Sequence, residues 1–111
     1  MSELGKHYLA NVIGEFRLLK KQAERAMEQL RDEQLFATLD TESNSIAILV
    51  KHIAGNFRSR WTDFLTTDGE KPWRERDAEF DNDLTSAQEV TETWNKGWKC
   101  LFSALDGLQP E

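Results

Sequence analysis

The chain has 111 residues, of which 39% are hydrophobic and 31% charged, the balance of a globular protein with one core and too few residues for two. A formal charge of −6, with Lys and Arg scattered along the chain, argues against nonspecific binding to nucleic acid or to anionic lipid. No run of ~18 apolar residues spans a bilayer and the N-terminus lacks the pattern of a signal peptide, so a cytoplasmic protein is expected, in keeping with a single cysteine, Cys100.

From Leu9 the apolar residues Leu9, Val12, Phe16, Leu19, Ala23, Ala26 and Leu30 alternate three and four apart, which predicts a bundle helix over about residues 3–34. The charges Glu15, Lys20, Lys21, Glu24, Arg25 and Glu28 are read as its solvated outer face. The stretch FATLDTESNS is a connection with several side-chain oxygens able to cap the next helix. That second helix is predicted over about 43–66, burying Ile46, Val50, Ile53, Phe57, Trp61 and Phe64, and stopping at TTDG before Gly69 and Pro72.

About twenty residues, TTDGEKPWRERDAEFDNDLT, then show no period, which is long for a tight turn between antiparallel helices (usually ~2–8 residues). A segment of that size can cross a bundle and leave the second and third helices parallel. Its acids Asp77, Glu79, Asp81 and Asp83 alternate like calcium ligands. Asn82 and Gln88 stand where such a loop needs glycine and a bidentate glutamate, so they read as solvated crossover.

A third helix over about 85–106 opens with Ser86-Ala-Gln-Glu89, the spacing of a capping box, and carries Val90, Trp94, Trp98, Leu101 and Leu105 on one side. No segment alternates with the period of a strand, so the class is all-α, one helical-bundle domain over 1–111. Beside the tryptophans, Thr93, Gly97, Cys100 and Ala104 form a line of small residues that lets another helix approach. A fourth helix is expected there, with a homodimer as its simplest source. Cys100 itself reads as a small apolar residue.

His52, in VKHIAGN, lies ~120° from the apolar stripe of its helix on a track with Ser45, Asn56, Ser59 and Asp63. That track is either a half-exposed flank or the wall of a site. A metal-bound imidazole gives its other N–H to a carbonyl or carboxylate, and Asn56, one turn on, is the best-placed partner on the helix. His7 stands ~30 Å away in an antiparallel hairpin, too far to share a metal within one chain. Trp73, Arg74 and Arg76 in KPWRERD admit two readings: an anchor whose arginines pair with Asp63, Asp77 or Glu79, or a contact for an anionic substrate group.

The block NSIAILVKHIAGNFRSRWTDFLTTDGEKPWRERDAEF resembles an uncharacterised bacterial branch of the DinB/YfiT-like superfamily, and the flanking helices fit it over nearly the whole chain. The resemblance implies a four-helix bundle with a long crossover between helices two and three. It further implies a divalent metal, Zn or Ni, held by three histidines, and in some members a thiol-dependent transferase using small-molecule thiols. His52 matches the first ligand; the other two lie in such proteins as His-x-x-x-His on a fourth helix, which these residues do not contain. Two functions are expected on this basis. The first is a metal-assisted transferase or hydrolase using His52 with ligands from elsewhere, and with Asn56, Asp63, Arg74 and Arg76 around the metal or substrate. The second is a non-catalytic bundle that homodimerises through the faces a fourth helix would cover.

Overall fold

A computed structural model of the chain describes residues 3–38, 44–66, 69, 71–80 and 84–108. These hold three α-helices, α1 (Glu3–Glu28), α2 (Ile46–Trp61) and α3 (Ala87–Asp106), with 3-10 turns at Asp32–Leu35 and Asp77–Phe80 and no strand among the described residues. None of these helices is long and apolar enough to cross a membrane.

The first helix ends six residues sooner than its period predicts. Arg31 is extended (φ −74°, ψ 158°), and the 3-10 turn after it buries Leu35. The packed face of α1 is also rotated from the predicted stripe. Leu9, Ile13, Phe16, Ala23 and Met27 lie against the core, whereas Leu19 is exposed and so is Ala26. The physical reason is Trp94. Its buried indole N–H needs an acceptor, and Glu24 Oε2 supplies it at 2.9 Å while receiving Lys20 Nζ at 2.7 Å. Lys20 and Glu24, expected in solvent, are therefore half-buried on the packed side. Burial of the Glu24 carboxyl pulls its pKa upward, but the hydrogen bonds from Lys20 and Trp94 and the Lys20 charge outweigh it and hold the group below the ordinary value.

Helix α2 is shorter than its predicted 43–66 at both ends. Ser45 caps it, accepting from Ile48 N–H at 3.1 Å. At the other end Thr62 is extended, and Asp63 takes the left-handed conformation (φ 51°) that Asp tolerates better than most residues. Its fully buried residues are Ala47, Val50, Ala54 and Ser59, and Ile53 is 36% exposed, contrary to the predicted stripe. The helix is covered on two sides, by α3 and by the crossover, so its small residues are the ones that disappear.

Helix α3 buries Val90, Trp94, Trp98, Leu101 and Leu105, as its period predicts. Ser86 Oγ accepts from Glu89 N–H, and the Glu89 carboxylate receives the Thr85 N–H and both hydroxyls. Trp98 is the hub of the core, with Phe57 at 4.9 Å, Trp94 at 5.6 Å and Phe16 at 6.4 Å, each tilted edge to face. Ala54 meets Gly97, Phe57 meets Trp98, and Trp61 shares a groove with Cys100 and Ala104, so residue numbers rise together and α2 and α3 run parallel. The long crossover makes that direction possible. Gly97, expected to admit a further helix, is the point where α2 itself comes close.

Candidate functional site

The crossover is fastened along one side of α2. Ser59, wholly buried, donates its hydroxyl to the Gly69 carbonyl and accepts the Lys71 N–H at 3.2 Å, while its own carbonyl receives the Lys71 ammonium. Two turns earlier, Lys51 Nζ donates to the Ala78 carbonyl at 2.9 Å. These contacts satisfy backbone groups of an irregular segment that would otherwise be costly to bury. They also place the 3-10 turn at Asp77–Phe80, and with it Glu79, over His52.

Glu79 is the centre of the arrangement. Its Oε1 lies 3.0 Å from His52 Nδ1 and accepts Arg74 Nη2 at 3.1 Å; its Oε2 accepts Arg74 Nε at 2.9 Å. The Arg74 pair is thus bidentate, the geometry in which guanidinium and carboxylate bind most firmly. Exposure rises along the series, from 2% for the Arg74 side chain through 11% for Glu79 to 36% for His52. A buried base fixes a nearly buried acid, which in turn holds a half-exposed imidazole. With a carboxylate at Nδ1, the neutral ring keeps its proton there and presents Nε2 as the lone-pair nitrogen.

Space for this carboxylate is made by Gly55, in the same VKHIAGN stretch. A β-carbon built on Gly55 would run into Glu79 Oε2 and Cδ, far inside contact distance. The chain therefore gives up helix propensity in mid-helix, ~1 kcal/mol relative to Ala, where the acid approaches the backbone.

Of the residues singled out in the sequence, His52 and Arg74 meet through Glu79. Asn56 is half-buried one turn beyond His52, and the partner at Nδ1 is Glu79 of the crossover. Asp63 lies beyond the end of α2, so the helical track does not continue to it. Arg76 is exposed, and its carbonyl starts the 3-10 turn by accepting the Glu79 N–H at 3.2 Å. Ser45 and Ser59, the other members of the track, are a helix cap and a crossover anchor. Glu79, expected in solvent, is nearly buried; the KPWRERD arginines and the glycine after His52-Ile-Ala are the sequence signals that could have found it. Asp81 and Asp83 lie outside the described residues. Among the described residues, no three His, Cys, Asp or Glu side chains converge on one point.

A family model described as proteins of unknown function, DUF1572, matches residues 3–111. No curated protein and no solved structure matches the chain. With a match over nearly all of its length, the chain belongs to the DUF1572 family.

Proposed function

We propose that this chain is a DinB/YfiT-like bundle in which His52 supplies one ligand to a divalent metal, zinc or nickel, serving a thiol-dependent transfer or a metal-assisted hydrolysis. The observation that carries the reading is the His52–Glu79 contact. Metal-ligating histidines characteristically give their second ring nitrogen to a carboxylate, which fixes the tautomer and raises the basicity of the other. Arg74 and Gly55 hold the carboxylate in that position. The three parallel or adjacent helices and the crossover between α2 and α3 support the superfamily reading.

His52 and Glu79 fit one ligand and its orienting acid, and the described residues do not complete the set. The remaining ligands come from outside them, in this chain or in a partner copy. A metal held there by His52 would supply Lewis acidity, lowering the pKa of a thiol or water bound to it. Arg74, Glu79 and Gly55 position and polarise one imidazole, and no further step is assigned to them.

A second reading is a non-catalytic bundle that homodimerises. It is favoured by apolar side chains left in solvent: Leu49 at 45% and Ile53 at 36%, one turn apart on α2 beside His52, and Leu4 at 79% and Tyr8 at 70% on α1. Both are helical pairs of the kind another helix covers. Elemental analysis combined with the mass in solution separates the two. Stoichiometric Zn or Ni that disappears in His52→Ala is expected from the first reading; a metal-free dimer would sink it and leave the second.

A further inference from the structure

A second feature borders the Arg74–Glu79 pair. A cleft of about 450 Å³ opens between α2, the crossover and α3, within the size range of small-molecule sites. Lys51 and Arg58 of α2 and Lys96 of α3 line it, with Glu75 and the mutually neutralising Arg74–Glu79 pair. Arg58 and Lys96 also border an adjoining groove of about 760 Å³, to which Lys99 adds a fourth cation and no described residue adds a carboxylate. The Arg58 guanidinium stands 5.1 Å over the ring of Trp73, which is 47% exposed at the rim.

In a chain of charge −6, the described residues along this concave surface thus include Lys51, Arg58, Lys96 and Lys99, with Glu75 the one carboxylate outside the Arg74–Glu79 pair. Concave walls focus such a field, and like charges crowded together repel one another. Lys51 and Arg58 are seven residues apart on one helix, ~10 Å along its axis. That spacing suits two acidic groups better than one. His52 lines neither hollow, although Glu79, its carboxylate partner, forms part of the cleft wall.

We propose that the cleft and groove together bind a small molecule bearing two or more acidic groups, gripped between Arg58 and Lys96 and flanked by Lys51 and Lys99. Arg58, stacked on Trp73, is pre-oriented for bidentate capture of a carboxylate or a phosphate. The site goes beyond the metal reading and does not depend on it.

The full chain is titrated calorimetrically in EDTA, at low ionic strength, with inorganic pyrophosphate, with suberate and with acetate. Keeping metal out separates failure here from failure of the proposed metal centre. Saturable one-to-one binding of pyrophosphate or suberate is expected, at least tenfold tighter than acetate. Pyrophosphate preferred over suberate indicates a phosphorylated ligand, and the reverse a polycarboxylate. The variant R58Q/K96Q should bind at least tenfold more weakly with unchanged helical circular dichroism, and Lys99→Gln alone severalfold more weakly. Lys6→Gln with Lys21→Gln, which removes two charges from α1, should leave binding intact. Absence of saturable binding to both probes, or an equal loss in the α1 variant, overturns the proposal.

Discussion

Gly97 of α3 and Ala54 of α2 touch backbone to backbone: a β-carbon on Gly97 would stand 2.7 Å from Ala54 Cα and 2.9 Å from Ala54 Cβ. Neither helix has a flexible side chain to move aside, so the contact fixes how closely α2 and α3 run. Gly97→Ala is expected to destabilise the fold. Overpacking costs ~1–3 kcal/mol, which exceeds the ~1 kcal/mol gained in helix propensity. Thermal unfolding should show a drop of several degrees, and a Tm that rises would mean the helices have room.

Gly55→Ala should behave differently, although it too is a mid-helix glycine. There the obstacle is the end of the Glu79 side chain, which can swing away. The displaced oxygen is the one that accepts Arg74 Nε, so loosening that pair outweighs the ~1 kcal/mol of helix propensity and a net loss of up to ~2 kcal/mol is expected. The imidazole of His52 should lose its preference for the Nδ1–H tautomer, read from the ring-nitrogen shifts in nuclear magnetic resonance. Unchanged ring shifts would show that Glu79 does not govern the tautomer.

Glu79→Ala leaves the Arg74 guanidinium, whose side chain is 2% exposed, without its bidentate partner. Removing one member of a buried pair costs ~3–5 kcal/mol, and the partial exposure of Glu79 points to the lower end. Urea unfolding should register ~3 kcal/mol, and Arg74→Met in the same background should recover part of it. A loss under ~1 kcal/mol would place the pair effectively in water.

Glu24 gives a pH dependence. Its folded pKa lies below the ordinary value of 4.5, so its contribution is fully present above that value and is lost as the pH falls through the folded pKa. Glu24→Gln keeps an oxygen for the Trp94 N–H and removes the charge. At pH 7 the variant should be less stable by up to ~1 kcal/mol, since the carboxylate is partly exposed. The gap should close as the pH drops from about 5 to below the folded pKa. A gap that persists in strong acid would assign the effect to shape rather than charge.

Periodicity is what made the helices legible in the sequence. Trp94, Trp98, Leu101 and Leu105 recur with the helical repeat, and burial of one implies burial of the others. The crossover is recognisable by its length and its lack of a period, and the parallel course of α2 and α3 agrees with it. Glu24 escapes because its partner, Trp94, is 70 residues away, and a single acid on a helix looks solvated until a buried N–H is placed beside it. Glu79 escapes for a related reason: an irregular segment gives no rule for which of its acids turns inward. His52 does lie off the apolar stripe, yet the helix track around it is mostly a mooring for the crossover. Ser59 and Ser45 are polar because backbone groups need them.

Helix α1 has no fully buried residue, while Ala47, Ala54, Ser59 and Leu101 of the other two helices are sealed almost completely. The molecule is therefore built of two parts with unequal tenacity. Amide protons of α1 should exchange with solvent through partial openings of low free energy, and those of α2 and α3 only when the whole structure gives way. His52 stands on α2, and Arg74 and Glu79 on the crossover moored to it, so the Glu79 and Arg74 hydrogen bonds that align the imidazole come from outside α1.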